Sequence, residues 1–109
     1  MAWQAKHKYA RISARKARLI ADMIRGMEIQ EALNSLKFAP NRGAGMIAQV
    51  LKSAIANAKE NEADEYSLVV SEARVDEGPT MKRWHPKDRG RAHPIMKRTS
   101  HIVVAVDER

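Results

Sequence analysis

Seven basic side chains, Lys82, Arg83, Lys87, Arg89, Arg91, Lys97 and Arg98, fall within residues 78–101, a stretch that holds one acid, Asp88. The same stretch carries Trp84, His85, His93 and three of the four prolines. Each residue type suits contact with nucleic acid. An arginine fork grips phosphate oxygens in pairs and lies flat on a base. Trp84 offers a stacking face. The prolines reduce the chain entropy lost on docking, and Gly78 and Gly90 permit turns and close backbone approach. No apolar periodicity runs through the segment, so it builds no core of its own. Its like charges repel, and it therefore needs a polyanion to fold against. Asp88 sits among four basic neighbours and reads as an ion-pair partner of arginine.

A second group of cations lies near the N-terminus: Lys6, Lys8, Arg11, Arg15, Lys16, Arg18 and Arg25, with His7 and Ser13 among them. Several fall in the first turn of an expected helix, where the helix dipole favours acids. Adjacent phosphates would turn that penalty into attraction. The four histidines, His7, His85, His93 and His101, have no carboxylate at metal-ligand spacing, and no HExxH, nucleophile elbow or phosphate-cradling glycine loop is present. Catalysis, in its least implausible form a small ribonuclease using His85 and His93, gives way to histidines as hydrogen-bond donors to phosphates or bases. No catalytic residue, metal site or cofactor is expected.

These side chains need a scaffold. The chain has 109 residues and an apolar share of 44%, which suit one small folded domain. Its net charge is +7, unevenly spread. Residues 1–40 carry +5, residues 41–76 carry −2 and residues 77–109 carry +4. Basic ends around a slightly acidic middle imply one positive face. Cysteine is absent, so there is no disulfide framework or thiolate metal site, which fits an intracellular protein. The N-terminus lacks the apolar core of a signal peptide, and no apolar run approaches the roughly 18 residues of a membrane span.

Residues 3–11 alternate as an edge strand, with Trp3, Ala5, His7 and Tyr9 on one side and lysines guarding the edge. Ser13 reads as the N-cap of a helix to about Arg25, with Ala17, Ile20, Ala21 and Ile24 on one face and Gly26 as its stop. A second helix spans about 29–38, its inward set Ile29, Ala32, Leu33 and Leu36, and Pro40 breaks it. Asn41 can cap a third, over about 42–61, whose stripe is Ala44, Ile47, Ala48, Leu51, Ala54, Ile55 and Ala58. An exposed acidic linker, 62–65, leads to a strand over 68–76 in which Val69, Ser71, Ala73 and Val75 share a face. A last strand over 102–107 turns Ile102, Val104 and Val106 inward. The expected fold is α+β: three helices on a small antiparallel sheet, with a long β-hairpin arm protruding from it. The body is 1–77 and 102–109 and the arm is 78–101. Two arm strands of about twelve residues would reach roughly 40 Å.

Three helices followed by a hairpin also describe a winged-helix nucleic-acid-binding regulator. Such a protein needs a recognition helix with base-reading side chains. The third helix exposes Gln49, Lys52, Ser53, Asn57, Lys59 and Glu60, with little concentrated positive charge.

The segments AKHKYARISARKARLIADMIRG, SAIANAKEN and VDEGPTMKRWHPKDRGRAHPIMKRTSHIVV resemble the bacterial large-subunit ribosomal protein twenty-two family, in the right order. That resemblance implies a structural constituent of the large ribosomal subunit that binds 23S rRNA and supports assembly. Its arm would line the nascent-peptide exit tunnel, with the tip at Lys87, Asp88, Arg89, Gly90 and Arg91. Arg11, Ser13, Arg15, Lys16 and Arg18 match the family's basic RNA-contacting segment. With Lys6, His7, Lys8, Arg25, Lys82, Arg83, Trp84, His85, Lys87, Arg89, Arg91, His93, Lys97, Arg98 and Ser100, they form the expected RNA-facing set. The implied partners are rRNA, neighbouring ribosomal proteins and the nascent polypeptide in the cytoplasmic ribosome, with neither a membrane nor a second copy of the chain.

Overall fold

Alanine sets the geometry of the helical layer. Helix α1 (Ala14–Ile24) buries Ala14, Ala17, Ile20, Ala21 and Ile24. Helix α2 (Ile29–Phe38) buries Ile29, Ala32 and Leu36. Helix α3 (Arg42–Glu60) buries Gly43, Ala44, Ile47, Val50, Leu51, Ala54, Ile55 and Ala58. Small residues on each stripe let the helices lie close to one another and to the sheet. The computed structural model describes residues 2–87 and 91–108, and for residues 81–87 and 91–96 the backbone alone.

The helices cover one face of a three-stranded antiparallel sheet of order β1-β5-β2. Its strands are β1 (Ala2–Ala10), β5 (Ser100–Glu108) and β2 (Leu68–Glu77). Helix α3 packs on β1 and β5, α1 on β2, and α2 against α3. Central strand β5 is buried at every position from Ile102 to Val106. Ile102, Val104 and Val106 point into the core as their alternation predicts. Val103 and Ala105 face away from the helices. The register sets Val103 between Lys6 and Arg74, and Ala105 between Gln4 and Glu72. Long side chains at such flanking positions can lay their stems over apolar neighbours while their polar heads stay in water.

Two bulges change faces that simple alternation assigns. In β2 the register shifts between Val70 and Glu72. The buried residues are therefore Leu68 and Val70 before the bulge and Ala73 and Val75 after it. Val69 and Ser71, expected on the inner face, are turned off it, because one extra residue reverses the period-two alternation. In β1 the register shifts between His7 and Ala10, and Tyr9 takes φ +58°. Tyr9 is consequently exposed and does not share the side of Trp3, Ala5 and His7. Its N–H donates to His101 Nδ1 at 3.1 Å, and its ring meets that imidazole edge-on at 4.9 Å.

The arm is a separate two-stranded ladder, β3 (Met81–Lys87) with β4 (Arg91–Lys97). Each strand has seven residues, about 23 Å of extended chain. That is shorter than the expected twelve-residue strands, because pairing breaks at 78–80 and again at 98–99 and so divides arm from body. The body ladder also runs further than expected, through Ser100 opposite Glu77. The long axis of the molecule is 62 Å, and the radius of gyration is 16.8 Å, against roughly 13 Å for a compact chain of this length.

Candidate nucleic-acid interface

The arm is rooted by short, specific bonds. Gly78 N–H donates to Thr99 O at 2.9 Å, and Thr99 Oγ1 donates to Pro79 O at 2.6 Å. A Cβ on Gly78 would stand 2.6 Å from Thr99 Oγ1, so glycine is required there by close approach. Ser100 is fully buried, and its hydroxyl donates to Ile12 O at 2.6 Å. That bond ties the root of the arm to the loop that enters α1.

Beside this root lies a groove of about 950 Å³ lined by Arg11, Ile12, Ser13, Lys16, Leu19, Pro40, Asn41, Arg42, Gly43, Lys97 and Arg98. Five of these residues are cations and none is an acid. The N-termini of α1 and α3 both open into it, through Ser13 and Asn41. Ser13 caps α1, its hydroxyl accepting from Lys16 N–H at 3.4 Å. Asn41 holds the N-cap position of α3, but its side chain makes no capping bond. Neither helix has an acid in its first turn, whereas α2, which starts elsewhere, has Glu31. Positive side chains and the positive ends of two helix dipoles therefore add in one concavity. Such a site suits anions, carboxylate and phosphate alike.

The groove gathers four expected RNA-facing cations, Arg11, Lys16, Lys97 and Arg98, from two distant parts of the chain. Ser13 is half-buried in its wall. Lys6 and Lys8 are exposed on edge strand β1, Arg15 is exposed on α1 outside the groove, and His7 is half-buried on the inner side of β1.

Three expected contacts have internal tasks. Arg18 Nε donates to Val75 O at 3.1 Å, and Arg25 Nη2 donates to Ala73 O at 2.6 Å. Both carbonyls lie on edge strand β2, where the sheet supplies no second neighbour, so the two arginines satisfy and guard that edge. Arg25 also pairs with Asp22 at 2.9 Å. Ser100, being wholly buried, is unavailable to any partner.

Lys82, Arg83, Trp84, His85, Lys87, Arg91 and His93 lie along the arm ladder, with Lys87 opposite Arg91 and His85 opposite His93. The tip residues Asp88, Arg89 and Gly90 lie outside the described residues. Among the described residues no cluster of His, Cys, Asp and Glu could hold a metal ion, and no helix is long and apolar enough to cross a membrane.

Arg42 is the functional candidate that sequence reasoning passed over. It is the first residue of α3. The available signal was a basic residue at a helix start with no acid in the following turn.

The pattern of a basic groove at the foot of a cationic hairpin coincides with a match to one family model. Residues 5–107 fit the family described as ribosomal protein L22p/L17e. The chain belongs to that family. It is therefore a ribosomal protein of the large subunit, and the class is RNA-binding and typically structural rather than enzymatic. Membership replaces the winged-helix alternative, whose recognition helix would have been α3.

Proposed function

We propose that this protein binds large-subunit rRNA through the groove, and that its arm carries the binding surface into the RNA. The body seats on the subunit with Arg11, Lys16, Arg42, Lys97 and Arg98 against phosphates. The arm continues from that seat, and its tip around Lys87–Arg91 reaches the nascent-peptide exit tunnel. The role is structural: holding rRNA segments together, supporting assembly and giving the tunnel part of its wall. Its partners are 23S rRNA, neighbouring ribosomal proteins and the passing nascent chain, in the cytoplasm.

The observation that carries this reading is the convergence of five cations, without an acid, at the root of the arm. The arm adds to it. Register sets Lys87 opposite Arg91, a like-charge pairing that a free hairpin disfavours and a surrounding polyanion offsets. Lys97 and Arg98 belong to the groove and to the arm's last residues alike, so one RNA segment can engage both.

Two measurements test the reading. The protein should remain with large subunits through high-salt sedimentation, and its release would refute the structural role. A photoreactive group at Arg89 on translating ribosomes should crosslink to nascent peptide. Crosslinks to rRNA alone, at every peptide length, would remove the tunnel from the proposal.

A further inference from the structure

The groove at the arm's root is lined by more than charge. Leu19 is 69% exposed, and it shares the concavity with Ile12 and Pro40. One exposed leucine on a surface is ordinary. Three apolar side chains gathered in a single hollow, ringed by Arg11, Lys16, Arg42 and Arg98, are more than phosphate binding requires. A sugar–phosphate backbone gives such a strip little to bury. Gly43 helps to form it: Ile12 Cδ1 lies 2.9 Å from where a Cβ at Gly43 would stand, so bare backbone there leaves room for the isoleucine tip. The volume, about 950 Å³, is ample for a planar ring with its ribose and flanking phosphates.

Building on the rRNA binding proposed above, we infer that this groove receives one nucleotide base turned out of its stack. The ring lies on Leu19, Ile12 and Pro40, and the phosphates on either side are held by Arg11, Lys16 and Arg42. The guanidinium planes of Arg42 and Arg98 are available to the ring's other face. The ligand class is thus an unpaired nucleotide of an RNA loop or bulge. A regular A-form duplex presents phosphates and 2′-hydroxyls with its bases stacked inside, and would leave the apolar strip in water. Stacking on an apolar strip tolerates any base, so this contact selects for an unpaired position and not for a sequence.

The test uses the full-length protein with methyl-labelled Ile and Leu and three probes of equal length. These are a short oligoadenylate, a strand of abasic spacer phosphates and an A-form RNA duplex. The oligoadenylate should shift the Ile12 and Leu19 methyl resonances by its ring current, and should bind about fivefold more tightly than the abasic strand. Leu19→Ala, at an exposed position that leaves the core intact, should abolish that difference while charge-driven binding persists. Lys16→Gln should weaken all three probes together. Equal affinity for the oligoadenylate and the abasic strand would overturn the inference and leave a phosphate cradle. Equal methyl shifts with the duplex would do the same. If no probe binds, or if Lys16→Gln leaves all three affinities unchanged, the rRNA role of the groove falls as well.

Discussion

The two ends of α3 are built on opposite plans. At its C-terminus the chain closes on itself. Glu62 N–H donates to Lys59 O at 3.0 Å and Ala63 N–H to Ala58 O at 3.1 Å, the paired bonds of a Schellman ending, with Glu62 at φ +60°. Asn61 Nδ2 donates to Asn57 O, Asp64 Oδ1 accepts from Tyr66 N–H, and Lys59 pairs with Glu65 at 3.2 Å. At its N-terminus, about 28 Å away along nineteen residues, Asn41 makes no side-chain cap, no acid meets the dipole and Arg42 adds charge to a basic groove. The first end is complete within the protein. The second is left open on the groove, where the proposed rRNA phosphates would meet it.

The contrast yields expectations that separate folding from binding. The largest effect belongs to the middle of the helix, on which both ends depend. Leu51 is fully buried, and Leu51→Ala should cost roughly 2–5 kcal/mol in denaturant unfolding. A loss below about 1 kcal/mol would mean that the stripe is not the core of the body. Next comes the open end. Replacing Arg11, Lys16 and Arg42 together with Gln should weaken rRNA binding by on the order of tenfold or more and reduce the slope of log affinity against log salt by about 0.7–0.9 per lost phosphate contact. Melting temperature should hold or rise slightly, since uncompensated charge at two helix N-termini has been removed. An unchanged salt slope would return these residues to the class of merely solvated cations.

The closed end should respond in the reverse sense. Glu62→Gly places glycine at a left-handed position and should raise stability by up to about 1 kcal/mol, with rRNA affinity unaltered. A change in affinity would show that this end also meets RNA. Smallest is Lys59→Ala. Its pair with Glu65 is half-exposed on both sides, so the loss should be at most about 1 kcal/mol and should shrink in salt.

Much of the body was legible in the chain. The stripe of α3, the inward face of α1 and the N-cap at Ser13 follow from 3.6-residue spacing and short-range capping, in which every partner lies within a few residues. The inner set Ile102, Val104 and Val106 followed from alternation. Faces failed where a bulge intervened, at Ser71 in β2 and near Tyr9 in β1, because a bulge belongs to a strand pair and leaves no period within one strand.

The candidate site divides along the same line. Charge counting found an arm and a basic N-terminal segment, because like charge crowded into one stretch is a property of the chain alone. It could not distinguish Arg18 and Arg25, which reach the edge of β2, from Arg11 and Lys16, which face the groove. Helical phase and the position of a strand far along the chain decide that. Nor could it join residues 11–19, 40–43 and 97–98 into one hollow, or hide Ser100 beneath the arm's root. The sequence by itself determined the helices, their buried stripes and the uneven spread of positive charge along the chain. Tertiary structure alone decided which cations share a surface, because that depends on contacts between residues whose separation along the chain carries no local signal.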